Sequence, residues 1–222
     1  MSCTLTSCPV GWVFDEAACQ RAWDDGRNFW SLYIEELLRR LGLTPQRVPR
    51  RELAANLAGH RSLVLPAGLA DSLNPDELAA LEGWVRAGGL LISFAAPGSE
   101  GLGGVALQGA AEQPDGDFSA SATMTFTPPA QALLDLDHET PASVFSPVRY
   151  VTAEADLTIL AELHARDGSA LGPAISFRRL GEGWVCYWAF DLAQTAWVVQ
   201  QGRPVYEDHV GDGYLRATDG II

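Results

Sequence analysis

The clearest pattern of apolar and polar positions in the chain lies between residues 61 and 94. Two short apolar runs, Ser62–Leu65 and Leu90–Phe94, predict strands, and neither alternates with polar residues. Between them Asn74 can cap a helix, a proline follows it, and Glu77 stands where it can close a capping box. Strands without alternation are expected to be covered on both faces. The stretch therefore predicts the βαβ crossover of a parallel sheet, with a right-handed connection.

The residues before this crossover repeat the alternation of strand and helix. Gly11–Phe14 predicts a strand, residues 28–41 a helix, Thr44–Val48 an edge strand, and Arg51–Leu57 a short helix. This order is typical of a doubly wound sheet. We interpret the basic run Arg47–Arg51 as a solvated helix start, with anion binding as the alternative.

After Phe94 the pattern changes to loops and antiparallel strands. The glycine-rich segment 97–104 predicts a flexible surface loop, and Phe118–Phe126 alternates as a half-buried strand does. The last third predicts a run of strands that includes a hairpin, followed by a helix over Leu192–Gln201. We expect one domain over residues 1–222, with an insertion at about 105–152 and a loop-like tail at 205–222.

Composition and charge narrow the classes of partner. The chain has 222 residues, of which 47% are hydrophobic, so it can bury a sizeable core. A net charge of −13 argues against nucleic-acid binding. No apolar run is long enough to cross a membrane and no signal peptide is evident, so no membrane partner is predicted. The cysteines form no CxxC pair, which argues against a thiolate zinc site and favours a reduced, cytoplasmic setting.

Two stretches resemble the class I glutamine amidotransferase-like fold. They are LVLPAGLADSLNPDELAALEGWVRAGGLLISF, which begins at Leu63, and RRLGEGWVCYWAFDLAQ, which begins at Arg178. The resemblance is closer to non-enzymatic relatives such as the trimer-forming domain of bacterial β-galactosidases. It implies an α/β sandwich of the flavodoxin or class I glutamine amidotransferase-like type, with a mostly parallel central sheet and added antiparallel strands. It also implies a homo-oligomer.

The catalytic residues of that family do not match this chain. Active amidotransferases place a cysteine on a strained turn after the strand that corresponds to Leu90–Phe94, and this chain has Ala95, Ala96 and Pro97 there. Where the family has His-Pro-Glu, this chain has Phe190–Leu192. The resemblance therefore implies a domain without glutaminase activity. Cys19 with a histidine brought close by folding stays open as a substitute pair.

The candidate ligand pocket is expected where parallel strands end. Asp15 directly follows the first strand, and Asp191 and Gln194 follow the last one. Trp197 could stack on a sugar or on another subunit. For Asp15 and Asp191, helix capping is the alternative.

Metal binding has two weak candidates and no cofactor is predicted. Asp208, Asp212 and Asp219 occupy positions of a degraded calcium loop, but Val210 and Arg216 stand where oxygen ligands belong. The run 135–139 is acidic and contains one histidine, and we interpret it as a plain acidic loop.

The predicted function is that of a catalytically inactive amidotransferase-like domain acting in ligand binding or assembly, with a small molecule or carbohydrate as partner. The alternative is a hydrolase of another class that uses Asp15 and Asp191 as acid and base. A third interpretation is an oligomerisation module in which tryptophans form an interface.

Overall fold

The computed structural model describes residues 9–113, 119–134, 140–154 and 156–201. The strands are β1 (Val10–Phe14), β2 (Pro45–Pro49), β3 (Ser62–Leu65), β4 (Leu90–Phe94), β5 (Val105–Ala111), β6 (Ala122–Phe126), β7 (Ala142–Val144), β8 (Val148–Ala153), β9 (Thr158–His164), β10 (Ala170–Leu180) and β11 (Gly183–Trp188). The helices are α1 (Glu16–Asp24), α2 (Tyr33–Arg40), α3 (Leu53–Asn56), α4 (Pro75–Arg86), α5 (Glu100–Gly103), α6 (Pro128–Leu134) and α7 (Leu192–Gln201). Short 3-10 turns lie at Trp30–Leu32, Arg50–Glu52 and Leu57–Gly59.

Within the described residues, the main sheet has nine strands in the order β2-β1-β3-β4-β11-β10-β9-β6-β7. The first five strands, from β2 to β11, are parallel to one another. From β11 onwards each strand is antiparallel to the next. The predicted α/β class with a large, mostly parallel sheet is confirmed. Strands β5 and β8 pair in a separate small sheet, while β6 and β7 extend the main one, so the segment 105–152 supplies strands to both.

The parallel strands are covered on both faces, as their lack of alternation predicts. In β1 the side chains of Trp12 and Phe14 pack with helices α1 and α2, whereas Val13 packs on the other face with α3 and α4. In β3, Val64 joins the first of these clusters and Leu63 the second. Burial on two faces leaves the ends of the strands as the places where polar groups can gather.

The helix of the central crossover begins as the sequence predicts. The Oδ1 atom of Asn74 accepts a hydrogen bond from the backbone N–H of Glu77 at 2.9 Å, and the Glu77 carboxylate accepts one from the N–H of Asn74 at 2.8 Å. Both arms of the capping box are therefore present. The box fixes the start of α4, and it also holds Glu77 at the carboxyl edge of the sheet.

The first helix was not predicted. Residues 16–24 form α1, with Asp15 as its N-cap, so Cys19 lies within the first helix and not before it. Only Cys19 and Ala22 are buried in α1, and such small side chains give little apolar periodicity to detect. The predicted helix at 28–41 begins later, at Tyr33, and its buried residues are Ile34 and Leu38.

The sequence predicted a flexible surface loop for the glycine-rich segment 97–104, and this prediction is wrong. The segment contains the short helix α5. Leu102 and Gly103 are buried there. A Cβ atom at Gly103 would lie 2.6 Å from the Cβ of Tyr187, closer than real side chains approach. The glycine is therefore needed for close packing of α5 on β11, and not for flexibility.

Arg50 connects three segments that end at the same edge of the sheet. Its guanidinium donates to the Asp15 carboxylate at 3.0 Å and to the Glu77 carboxylate at 2.9 and 3.1 Å. It also donates to the backbone carbonyls of Asp71 and Ser72. The interpretation of this arginine as part of a solvated helix start is wrong, because its side chain is only 15% exposed.

Replacing Arg50 by methionine should destabilise the protein by about 3 kcal/mol near neutral pH, because two buried carboxylates lose their cation. Asp15 and Glu77 have lowered pKa values in the folded protein, so the stability they provide is lost as the pH falls through those values. The difference between wild type and Arg50→Met should therefore shrink in acid. Urea unfolding at several pH values measures both effects.

Arg51→Met is the matched control for this prediction. Arg51 pairs with Glu16 and Glu52, but its side chain is 63% exposed. Its replacement should change the free energy of unfolding by no more than about 0.5 kcal/mol. Equal losses in the two variants would contradict a special role for the buried network.

Candidate functional site

Two clefts lie at the carboxyl edge of the parallel strands. The Arg50 cleft has a volume of about 410 Å³ and lies where β1, β2 and the loop after β3 end; Asp15, Arg50 and Glu77 line it. The Asp191 cleft has a volume of about 340 Å³ and lies between α1, the residues before α2, the loop after β3 and the start of α7. Ala70 lines both clefts, so they are neighbours. Asp15 and Asp191 thus line different clefts.

Both carboxylate oxygens of Asp15 accept hydrogen bonds. Its Oδ1 atom accepts from the N–H of Ala18 as a helix cap, and its Oδ2 atom accepts from the N–H of Ala70 and from Arg50. Burial raises the pKa of this carboxyl, but the hydrogen bonds from Ala70, Ala18 and Arg50 together hold it below its usual value. Asp15 is therefore an ionised structural carboxylate.

Asp191 has the opposite electrostatic environment. Its side chain is 7% exposed, and burial raises its pKa to about 6 although the backbone N–H groups of Gln194 and Ala193 favour the charged form. Both of those hydrogen bonds go to Oδ1. Among the described residues no lysine, arginine or histidine pairs with this carboxylate. Asp191 therefore caps α7, and its other oxygen, Oδ2, accepts no hydrogen bond from the part of the chain that the structure describes.

The other two candidates make contacts elsewhere and are not among the residues that line these clefts. The Gln194 side chain is buried and donates to the side-chain oxygen of Gln113 at 2.7 Å. Trp197 stacks on Tyr33 with ring centroids 4.0 Å apart, and the guanidinium of Arg40 lies 5.5 Å from the Trp197 ring centroid. The aromatic surface of Trp197 is therefore used in packing α7 against α2. Of the four candidates, Asp15 and Asp191 each line one of these two clefts, and Gln194 and Trp197 line neither of them.

The backbone of the turn after β4 is strained at Ala95. Ala95 has φ +50°, in the left-handed region that residues with a Cβ rarely adopt, and it is buried. Its N–H donates to the carbonyl of Trp188 on β11 at 2.8 Å. The side chains at this turn are two methyl groups and a proline ring, so the turn presents no group that can attack a carbonyl.

Neither described cysteine replaces that nucleophile. Cys19 is buried in α1, and burial raises its pKa although Arg47 acts in the other direction. Burial raises the pKa of Cys186 to about 11. Within residues 9–113, 119–134, 140–154 and 156–201, no hydrogen bond joins a cysteine to a histidine, and His164 instead bonds Thr125. These thiols are protonated at neutral pH and therefore poor nucleophiles.

The described part of the chain contains no group of three or more His, Cys, Asp or Glu side chains placed to hold a metal ion. The calcium candidates Asp208, Asp212 and Asp219, the acidic run 135–139 and the tail all lie outside the described residues. Among the described helices, none has the length and hydropathy needed to span a bilayer.

Sequence reasoning missed the walls of both clefts. Arg50 follows β2 as Asp15 follows β1, and two residues at neighbouring strand ends are expected to meet, so this pair could have been found. Phe29, Ser31 and the segment 68–70 gave no comparable signal. They reach the Asp191 cleft through loops whose course depends on tertiary packing.

Asp191→Asn should stabilise the folded protein at pH 8, by about 2 kcal/mol. A carboxyl with a raised pKa binds its proton more tightly in the folded state, so the stability linked to that proton is lost as the pH rises from about 4 to about 6. Asparagine keeps the helix cap without a charge. Thermal unfolding at several pH values should show a gain above pH 6 that vanishes near pH 4, and an equal gain at all pH values would contradict the raised pKa.

No family model and no curated protein matches this chain. Its fold is similar to that of solved structures. A β-galactosidase from Bacillus circulans sp. alkalophilus superposes with a TM-score of 0.67 at 14% identity, covering 86% of this chain and 30% of that one. A β-galactosidase from Rahnella sp. R3 gives a TM-score of 0.64 at 14% identity, with 85% and 29% of the two chains covered.

A shorter protein also has a similar fold. A cytoplasmic protein of Salmonella typhimurium LT2 superposes with a TM-score of 0.51 at 16% identity, covering 72% of this chain and 75% of that one. The chain spans less than a third of the length of the two β-galactosidases. At these identities the similarity shows a shared fold, in which this α/β unit occurs both inside long glycosidases and in a protein of similar size.

Proposed function

We propose that this chain is a catalytically inactive amidotransferase-like domain that acts in ligand binding or assembly within a carbohydrate-related system. The observation that supports this best is the turn after β4. Its backbone has the strained conformation expected of a nucleophile turn, but its central residue is Ala95. A fold that keeps the turn and lacks the attacking atom is suited to binding and not to acyl transfer.

The order of the parallel strands supports the amidotransferase-like assignment. Numbered along the chain, the five parallel strands run 2-1-3-4-5 across the sheet, which is the flavodoxin-like order. Where the family has His-Pro-Glu this chain has Phe190–Leu192, so Phe190 stands at the position of the base. Asp191 beside it has no histidine partner among the described residues. The fold that the chain shares with part of two β-galactosidases supports the carbohydrate-related part of the proposal.

Exposed apolar side chains support a role in assembly. Leu41 is 74% exposed, Val199 61% and Trp23 58%, and each is a large side chain that water solvates poorly. The resemblance to a trimer-forming domain indicates a homo-oligomer. The described cysteines, Cys19 and Cys186, form no disulfide, which supports a reduced, cytoplasmic setting.

The alternative is a hydrolase that uses Asp15 and Asp191. The pKa values of the two carboxyls move in opposite directions, which an acid and base pair requires. However, both oxygens of Asp15 are occupied, and the two residues line different clefts. Cleavage of a nitrophenyl glycoside that is lost in both Asp15→Asn and Asp191→Asn would favour this alternative.

The purified chain should release no ammonia from glutamine above the buffer blank, because no thiolate is available at the strained turn. A coupled glutamate assay over hours measures this, with an active glutaminase as the positive control. Cys19→Ala and Cys186→Ala serve as matched variants. Hydrolysis that disappears in either variant would overturn the inactive assignment.

Light scattering tests the assembly role separately. The chain should elute as an oligomer whose mass is a multiple of 23.9 kDa. The double variant Leu41→Glu/Val199→Glu should shift it towards monomer, because buried charge opposes an apolar contact. A strict monomer at high concentration would contradict self-assembly but not ligand binding.

A further inference from the structure

Asp191 is a buried carboxylate whose position the capping of α7 explains only in part. Its Oδ1 atom accepts both cap hydrogen bonds, from Ala193 at 2.8 Å and from Gln194 at 3.3 Å. Its Oδ2 atom takes part in no hydrogen bond with any residue that the structure describes. Serine or asparagine would cap the helix equally well without a buried charge. The charge therefore calls for a second explanation.

The cleft that Asp191 lines is suited to a small molecule. Its volume of about 340 Å³ is at the lower end of the range of about 300–1,000 Å³ that is typical of such sites. Phe29 and Trp30 contribute aromatic side chains to its wall. Gly68 also lines the cleft and packs closely on this wall, since an added Cβ would lie 2.6 Å from the Oγ of Ser31 and 3.0 Å from the ring of Phe29.

None of the described basic residues that line the cleft pairs with Asp191. Arg21, Asp25 and Arg27 are the other charged side chains that line it. Arg27 pairs with Asp25 at 2.6 Å, and Arg21 lies 3.9 Å from Asp71. Both guanidinium groups thus lie near other aspartates, and both arginine side chains are more than half exposed. When Asp191 is ionised, its burial costs desolvation free energy, and no positive charge among the described residues offsets that cost.

We infer that the Asp191 cleft binds a small hydroxylated molecule with a primary ammonium group, such as an amino sugar. The ammonium group pairs with Oδ2 of Asp191, and the aromatic wall contacts the apolar face of the ligand. The net charge of −13 favours the approach of a cation. This inference rests on the proposed ligand-binding role and names the class of ligand for it.

Three probes with the same sugar ring test the inference. Glucosamine has an ammonium group, N-acetylglucosamine replaces it by a neutral amide, and glucose replaces it by a hydroxyl. Calorimetry on the full chain near pH 7 should show glucosamine binding at least about tenfold more tightly than either neutral probe. Equal affinities for the three probes, or no binding of glucosamine at millimolar concentration, would overturn the inference.

Asp191→Asn is the decisive variant because it keeps the cap and removes the charge. It should fold, with the stability gain predicted above, and lose the preference for glucosamine. Asp24→Asn is the charge-matched control, since Asp24 is an exposed residue of α1 that bonds Gln20 outside the cleft. It should keep the preference, and a preference that survives Asp191→Asn would place the cation site elsewhere.

The pH dependence of binding supplies a second readout. Because only the ionised carboxylate pairs with an ammonium group, the glucosamine affinity should fall roughly tenfold for each pH unit below about 6. The affinity of Asp191→Asn should not change over the same range. A flat profile in the wild-type protein would count against Asp191 as the ligand's partner.

The same samples separate this inference from the proposed function. Proton NMR of each probe after incubation detects any conversion to product. Conversion would overturn the inactive assignment, whereas binding without conversion supports both conclusions. Absence of binding, together with no glutaminase activity and a stable oligomer, would reject the ligand class and leave the assembly role in place.

Discussion

The guanidinium of Arg50 holds together the carboxyl edge of the sheet. Through Asp15 it fixes the end of β1 and the start of α1, and through Glu77 it fixes the start of α4. All three side chains are at most 15% exposed, so their charges interact through protein more than through water. The loop after β3 is drawn into the same network by its backbone carbonyls and by the N–H of Ala70. The relative positions of these elements depend on this one cation.

The network also explains why two aspartates with the same local role differ in chemistry. Asp15 and Asp191 both cap a helix at the end of a parallel strand. A cation reaches Asp15 and helps to lower its pKa, whereas none of the described residues brings a cation to Asp191, and burial raises its pKa. The Arg50 cleft is therefore electrostatically satisfied by the protein itself. The Asp191 cleft has an unmatched negative charge, and a cationic ligand would supply the missing partner.

The turn after β4 has a strained backbone that does not depend on the side chain it carries. The left-handed conformation of Ala95 is held by a hydrogen bond to β11 and by burial, not by the side chain at that position. Backbone strain of this kind costs about 1–3 kcal/mol and persists only where the surroundings enforce it. The turn therefore does not need a nucleophilic side chain to keep its shape, which is consistent with the inactive role proposed above.

Local patterns were sufficient for much of the fold. The apolar strands, the capping box of α4 and the hairpin of β10 and β11 each depend on residues close in sequence, and the structure has all three. The sequence alone also showed that residues 95–97, after β4, include no nucleophilic side chain. Helices α1 and α5 were missed because their buried residues are too small or too few to produce a period of 3.6 residues.

The candidate site depended on contacts between distant residues. The sequence places Asp15 and Asp191 at strand ends, but it does not determine whether they share one cleft or line two different ones. The pairing of Asp15 with Arg50, 35 residues away, and the stacking of Trp197 on Tyr33 follow from how the helices pack on the sheet. A residue type specifies which charge is available, whereas the tertiary structure specifies whether that charge finds a partner. For this protein, that difference separates a structural carboxylate from a candidate binding one.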